Sequence, residues 1–251
     1  MAYQSSVWLG SVAALCPSQD TTGDGTTTLT DFATVSNGTL TNMDAATDWV
    51  TDDSKRCLDF DGTNDHVITD CTPVGGAKRL AFAIKFRRLA TTGNGVFAGI
   101  ANAISGSVNN RFIVYHYSDG NLYCNFDGTN VGYFAFALTD VAWHSLVIHY
   151  DGSQTGNANR LKMWLDGVAK TLTFMGTIPA QLTTITAGRL LLGVVSDSSA
   201  LYGRSRIDDV RVNLRLWSDA ERAEIDASRG GTYALASGGK PSLPFSQQVI
   251  G

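Results

Sequence analysis

Hydrophobic and polar positions along this chain alternate in short runs, with the period of two that marks a half-buried strand. The clearest run is 79–87, where Leu80, Phe82, Ile84 and Phe86 alternate with Ala81, Ala83, Lys85 and Arg87. Residues 160–166 repeat it, with Leu161, Met163 and Leu165 facing inward and Lys162 and Trp164 outward, and Asp166-Gly167 supplies a hairpin turn. The same reading predicts strands at 96–101, 111–117, 121–126, 131–137, 142–150, 171–175, 188–195 and 206–213. Turns between them carry Asp119-Gly120, Asp127-Gly128 and Asp151-Gly152, where glycine relieves the steric cost of positive φ. Many short strands at spacings near ten residues predict a sandwich or barrel rather than alternating strands and helices. Phe-Asp-Gly-Thr-Asn occurs at 60–64 and at 126–130 with different flanks, which reads as two similar β-turns and not as a repeat.

The C-terminal part of the pattern changes period. A strand carrying the adjacent carboxylates Asp208 and Asp209 is followed by a short turn and one brief helix. Ser218 and Glu221 have the spacing of a capping box, in which each side chain satisfies a backbone N–H at the helix start. A β protein closing on one strand and one short helix points to an all-β, antiparallel two-sheet jelly-roll sandwich. No Pro/Ser/Gly linker divides the chain before about residue 230, so residues 1–230 are read as a single domain. Within it, 17–48 reads as an irregular arm with one short strand at most. Residues 231–251 form a Gly/Ser/Pro-rich tail, with Tyr233, Leu235, Phe245 and Ile250 as isolated apolar anchors for a neighbouring surface.

Composition narrows the function classes. The 251 residues carry a net charge of −4, with no basic run or basic-aromatic stripe, so nucleic acid is not an expected partner. No stretch of apolar residues is long enough to span a bilayer, so no membrane insertion is expected. Met1 to Trp8 lacks the charged and apolar regions of a secretory signal. Cys16, Cys57, Cys71 and Cys124 show no Cys-x-x-Cys spacing, which argues against zinc and for reduced thiols, most of them buried as small apolar groups, with one disulfide of unassigned pairing as the alternative.

Four segments in order resemble the laminin-G-like, concanavalin A-like jelly rolls. Cys57-Leu58-Asp59-Phe60-Asp61-Gly62-Thr63-Asn64-Asp65-His66-Val67 resembles the family's first core strand, with His66 where an aromatic such as Tyr is usual. Trp143-His144-Ser145-Leu146-Val147 with Tyr150-Asp151-Gly152 resembles its Trp-His strand. Leu161 to Gly167 resembles its strand, Asp-Gly, strand hairpin, and Ile207 to Val212 its closing strand. The resemblance spans roughly residues 55–227 and implies the fold. It implies no single function, because this sandwich hosts lectins, glucanases, adhesion modules and structural proteins alike.

Candidate chemistry is sparse. A retaining glucanase needs two carboxylates about 5–5.5 Å apart, yet the glutamates are Glu221 and Glu224 alone, both on the terminal helix. The chain is therefore not expected to be an enzyme. His144 and His149 lie five apart on one strand and point to opposite faces, and His144 reads as a packed histidine satisfied by backbone. Asp208 shares alternation with Val210 and Val212, so its carboxylate is expected to point inward, where it needs a pair or a metal. The resemblance extends to a glucanase Val-Asp-Tyr-Val-Arg-Val strand whose Asp holds structural calcium, which makes Asp208 the calcium candidate. The alternatives are a pair with Arg206 or Arg211, or a cap on the turn at Phe60-Asp61-Gly62. No cofactor is otherwise required. Carbohydrate would bind on aromatic platforms, and Trp164, Tyr115, Tyr117 and Tyr133 are the candidates.

Two functions follow. The first is a structural module whose arms dock on protein partners in a larger assembly, such as a capsid-decorating or tail-associated protein of a phage or virus particle. The second is a glycan-binding or adhesion module. Both place the chain outside a cell or on a particle surface.

Overall fold

The computed structural model describes residues 11–33, 36–70, 76–101, 111–183, 189–195 and 201–227. In chain order the strands are β1 (Ser11–Leu15), β2 (Thr28–Leu29), β3 (Gly38–Thr41), β4 (Trp49–Asp52), β5 (Lys55–Asp61), β6 (His66–Asp70), β7 (Arg79–Arg88), β8 (Gly95–Ala101), β9 (Arg111–Tyr117) and β10 (Asn121–Phe126). They continue as β11 (Asn130–Ala135), β12 (Trp143–Asp151), β13 (Leu161–Leu165), β14 (Val168–Ala169), β15 (Thr173–Met175), β16 (Arg189–Leu192), β17 (Val194–Val195), β18 (Leu201–Tyr202) and β19 (Arg204–Asn213). A one-turn helix, α1 (Asn157–Arg160), precedes β13, and α2 (Asp219–Ala227) follows β19.

All but two of these strands form two antiparallel sheets, the all-β sandwich that the alternation predicts, and β17 and β18 pair as a separate two-stranded ribbon. The front sheet runs β14-β13-β12-β7-β19-β5-β4, with β1 also paired to β19, and the back sheet runs β15-β11-β10-β9-β8-β16-β6-β3-β2. Between them lies one apolar interior. Leu80, Phe82, Ile84 and Phe86 from β7 meet Phe97, Phe112, Val114, Phe126 and Leu190 from the back sheet. Phe86 is fully buried, with its ring 4.0 Å from Phe97 and 5.8 Å from Phe136. The Asp166-Gly167 turn closes β13 onto β14 with φ of 53° and 76°, both residues in the left-handed region that a two-residue hairpin demands.

Several expectations need correction. The outer face of β7 is not solvated: Ala81 and Ala83, with Val147 of the neighbouring β12, are covered by Trp217 and by Ile225 of α2. The 57–67 segment is two strands in opposite sheets, β5 and β6, and the chain crosses between layers at Asp61–Asp65. The Asp61 carboxylate accepts the Thr63 N–H at 2.7 Å to shape that crossing, whereas the second Phe-Asp-Gly-Thr-Asn copy closes the β10–β11 hairpin with Asp127 itself at φ 54°. The two copies therefore make different turns. Gly152 is not a positive-φ residue. It is needed because a side chain there would overlap the Ala180 carbonyl and the Tyr150 hydroxyl.

The 17–48 arm is ordered by its polar residues and holds two strands. The Asp20 carboxylate accepts the N–H groups of Thr22 and Gly23 and the Thr30 hydroxyl, at 3.2, 2.7 and 2.7 Å. Asp31 accepts those of Ala14, Ala33 and Ser36, at 2.8, 2.9 and 3.1 Å. Strands β2 and β3 then extend the edge of the back sheet. Ser, Thr and Asp are poor core residues, but their oxygens hold loops by taking backbone donors. The capping box of α2 forms as its spacing requires, with Ser218 N–H on Glu221 Oε2 at 2.8 Å and Glu221 N–H on Ser218 Oγ at 3.3 Å. The tail residues Tyr233, Leu235, Phe245 and Ile250 lie outside the described residues, as does Cys71. Cys16, Cys57 and Cys124 are buried in the sandwich.

Truncating the central aromatic tests this packing. Phe86→Ala is expected to cost about 3–5 kcal/mol of unfolding free energy in urea titration, the range for deleting a buried ring.

Candidate functional site

The outer face of the back sheet gathers tyrosines. In β9 and β10 the alternation sends Phe112, Val114, Leu122, Cys124 and Phe126 into the core, so Tyr115, Tyr117 and Tyr123 take the opposite face. Register then aligns them. Tyr123 pairs directly with Tyr115 on one side and with Tyr133 on the other. The rings of Tyr115 and Tyr123 stack at 5.1 Å with 9° between their planes, and Tyr123 and Tyr133 stack at 4.9 Å and 26°. Tyr117 stands edge-on to Tyr123 at 6.4 Å and 85° and is 44% exposed.

Stacking occupies ring faces. Tyr123 has a ring on each side, so it presents an edge and a hydroxyl to solvent rather than a flat platform. The exposed ring is that of Tyr117. The Tyr123 hydroxyl donates to the Asp119 carboxylate, which also accepts the Asn121 N–H at 3.1 Å. Burial, and then that bond, push the Tyr123 phenol up to about 12. The face therefore combines one open aromatic ring with neutral hydroxyl and amide groups and one carboxylate. Tyr115, Tyr117 and Tyr133, singled out in the sequence, come together here. Tyr123, the ring that joins them, was missed, although the two flanking Asp-Gly hairpins carry the register that places it.

Trp164 lies elsewhere, on the outer face of the front sheet. It faces away from Leu161, Met163 and Leu165 as expected, but its ring is covered. The Arg222 guanidinium sits 3.8 Å above it, and His149 meets it at 4.9 Å and 67°. These residues line a groove of about 430 Å³ with Trp217, Leu216, Lys162, Asp219, Asp151, Gln154 and Asn159. Strands β12 and β13 make its floor, and α2 with the residues before it makes one wall.

Asp208 does not point toward the interior. Register between β19 and β7 shifts between Asp208 and Arg211, and Asp209 adopts φ 50°. This bulge reverses the alternation. Ile207, Val210 and Val212 face the core, while Asp208 lies opposite Lys85 on the outer face. Its Oδ1 accepts the N–H groups of Ser18 and Asp209 at 3.2 and 2.8 Å. The two arginines considered as partners each hold a neighbouring carboxylate. Arg211 binds Asp209 at 2.7 Å, and Arg206 binds Asp59 and Asp52, both at 2.9 Å. Among the described residues no three His, Cys, Asp or Glu side chains converge to hold a metal ion.

His144 is held by carboxylates rather than by backbone. Its Nδ1 lies 2.8 Å from Asp166 and its Nε2 3.1 Å from Asp140. Burial works against its charge, but these two aspartates outweigh burial and raise its pKa. The remaining glutamate chemistry is structural: Arg215 grips Glu221 at 2.6 and 3.0 Å and holds it down at about 2. No helix among the described residues is long and apolar enough to cross a membrane.

No family model and no curated protein matches this sequence. Solved structures match in fold. The botulinum neurotoxin serotype D binding domain aligns with TM-score 0.59 at 10% identity, over 89% of this chain and 52% of that one. Trypanosoma rangeli sialidase in complex with 2,3-difluorosialic acid aligns with TM-score 0.59 at 11% identity, over 89% of this chain and 34% of the enzyme. This chain thus spans about half the length of the neurotoxin domain. At these identities the likeness is one of fold: the chain is an all-β jelly-roll sandwich of the architecture found in both.

Two buried histidines give this surface a pH signature. Burial, with Arg88 alongside, drives His116 down to about 3, and burial, with Arg222 and Lys162 nearby, drives His149 down to about 4. Both stay neutral in the folded chain and take up protons on unfolding below about 6.5. Their contribution is complete above that value and is lost as pH falls toward 4 and 3. His116→Gln is expected to flatten the fall of unfolding free energy by about 1.4 kcal/mol per pH unit between about pH 5 and 6. Urea titrations at several pH values measure this. Comparison with the parent chain cancels Asp65, which is pushed up to about 6 chiefly by burial and titrates there with opposite sign.

Proposed function

We propose that this chain is a non-catalytic saccharide-binding sandwich whose site is the tyrosine face of the back sheet. The observation that carries the reading is the ladder Tyr115–Tyr123–Tyr133 with Tyr117 exposed at its end. A saccharide offers an apolar C–H face and a rim of hydroxyls. Tyr117 supplies a ring for the first, and the phenol edges and Asn121 supply hydrogen bonds for the second. Stacked tyrosines bring large contact area with little side-chain entropy left to lose. The Asp119 carboxylate beside Tyr123 disfavours a phosphate backbone, which separates this face from the basic aromatic grooves that bind single-stranded nucleic acid.

The carboxylates support the absence of catalysis. Asp52 receives Arg87, Arg206 and Trp143 at 2.9–3.1 Å, and Glu221 receives Arg215 and Ser218. The fold neighbours include a domain named for receptor binding, and they lend the reading a precedent of architecture alone. The alternative role, as a subunit docking on protein partners of a particle, rests on tail residues outside those described. The described N-terminal strand β1 pairs within its own sheet, on β19.

Tyr117→Ala is expected to weaken binding to a neutral polysaccharide about tenfold, the worth of one aromatic contact, with an unchanged unfolding midpoint. Affinity electrophoresis in gels containing a panel of neutral polysaccharides reads this. Equal retardation of parent and variant in every retarding gel sinks the reading, and so does no retardation in any.

A further inference from the structure

The groove on the opposite sheet has a chemistry of its own, and its reading does not depend on the tyrosine face. Four observations converge on it. First, the Arg222 guanidinium carbon lies over the Trp164 ring at 3.8 Å, yet its one ionic partner among the described residues is Asp219, reached through Nη2 alone at 2.6 Å. Asp219 is 98% exposed, so that pair is a surface contact that a competing carboxylate displaces readily. Second, Lys162 is exposed at the same groove. Third, two nitrogens in its lining residues have no hydrogen-bond partner among the described residues: Nε1 of Trp217, 3% exposed, and Nε2 of His149, 8% exposed. Buried polar atoms in folded proteins are nearly always paired, so two unpaired ones in a single lining mark a place that is completed from outside. Fourth, the amides of Gln154 and Asn159 stand at the rim.

We infer that this groove is a second binding site, for a carboxylate-bearing saccharide. The arginine fork, seated over its aromatic support, is preorganised to take a carboxylate through the donors that Asp219 leaves free, and Lys162 adds a second cation. A sugar ring carries what a simple anion lacks, namely hydroxyls that act as donor and acceptor at once. A hydroxyl suits both an indole N–H, which only donates, and a neutral imidazole nitrogen, whose role follows its tautomer. The volume of about 430 Å³ lies within the range of small-ligand sites. Of the two aspartates at the groove, Asp151 is engaged with Arg79 at 3.4 Å and with Ser153 N–H at 3.1 Å, and Asp219 is the exposed partner that an incoming carboxylate displaces from Arg222.

Titration of the full chain with sodium glucuronate, followed by the indole N–H resonances in nitrogen-correlated NMR spectra, tests this. Trp164 and Trp217 resonances, assigned by Trp→Phe variants, are expected to move, with Trp49 and Trp143 still. Glucose and sodium acetate at equal concentration and ionic strength are expected to leave them in place. Lys162→Gln, at an exposed position, and Arg222→Gln are each expected to weaken the response about tenfold, the worth of a charge-assisted hydrogen bond. Tyr117→Ala is expected to leave it unchanged, which separates this site from the tyrosine face. No movement with glucuronate overturns the proposal. An equal response to acetate overturns its saccharide part, and an equal response to glucose its acidic part. A response untouched by both Lys162→Gln and Arg222→Gln places binding elsewhere and also overturns it.

Discussion

Strands β7 and β19 are buried on both faces, and that constraint shapes everything around them. Toward the interior they present Phe82, Ile84, Phe86, Ile207, Val210 and Val212. Away from it they present Lys85, Asp208, Asp209 and Arg211, each at most 4% exposed. Charges so placed must be paired, because removing one partner of a buried pair costs about 3–5 kcal/mol. The bulge at Asp208–Asp209 is where the pairing is arranged. It marks the point at which β19 stops pairing with β5, at Ile207, and begins pairing with β1, at Val210. Ser18 N–H reaches Asp208 there, and Arg211 closes on Asp209. Lys85 reaches past them to the Asp226 carbonyl of α2 at 2.9 Å, and Ser145 Oγ binds the Asp226 carboxylate at 2.5 Å. The helix is thereby fixed over the front sheet, and fixing it creates the wall of the groove.

What the sequence made legible follows from periodicity, and what it hid follows from breaks in periodicity. The inward face of β7, the outward position of Trp164 and the Asp166-Gly167 turn are all readable, because an uninterrupted strand determines every side chain from any one of them. Asp208 was misplaced because a single extra residue in β19 reverses the alternation, and no local signal in Ile207-Asp208-Asp209-Val210 announces it. The 17–48 arm looked irregular because its order comes from Asp20 and Asp31 capturing backbone donors, which leaves no apolar pattern. The tyrosines were found singly and their ladder was not. Each lies on a different strand, except Tyr115 and Tyr117, and only the hairpin registers bring them into one row. The groove was invisible for a further reason: it joins β12 and β13 to residues of α2 more than fifty positions away in sequence.

The distribution of carboxylates bears on the proposed binding role. Glycoside hydrolysis requires one carboxyl that keeps a proton near neutrality and another that stays charged, with the bond to be cut between them. Here carboxylates both buried and exposed stabilise their charge by accepting donors. Asp52, Asp151 and Asp166 all lie below the ordinary carboxylate range, with their partners Arg206, Ser153 and His144 overcoming burial in each case. A carboxylate held so low is a poor proton donor at neutral pH. Burial raises Asp226, whose carboxylate accepts the Ser145 hydroxyl at 2.5 Å, and Asp65 is pushed the same way, yet its oxygen accepts the Asp61 N–H at 2.9 Å and it serves the crossing between layers. It belongs neither to the tyrosine face nor to the groove.

The two outer faces differ in chemistry because different things cover them. On the back sheet the tyrosines cover one another, and the surface that results is aromatic at its end and hydroxylic along its edge. On the front sheet α2 covers the strands, and it brings Arg222 onto Trp164 together with the one exposed cation of β13, Lys162. A cation over an indole keeps N–H groups available at its edge, so the cover that closes the aromatic face also brings a cation to the groove. The closely packed core between the sheets holds the two faces apart, and each is defined by side chains of strands and a capped helix rather than of long loops. That placement favours recognition without rearrangement, since strand and helix positions need little ordering when a ligand arrives.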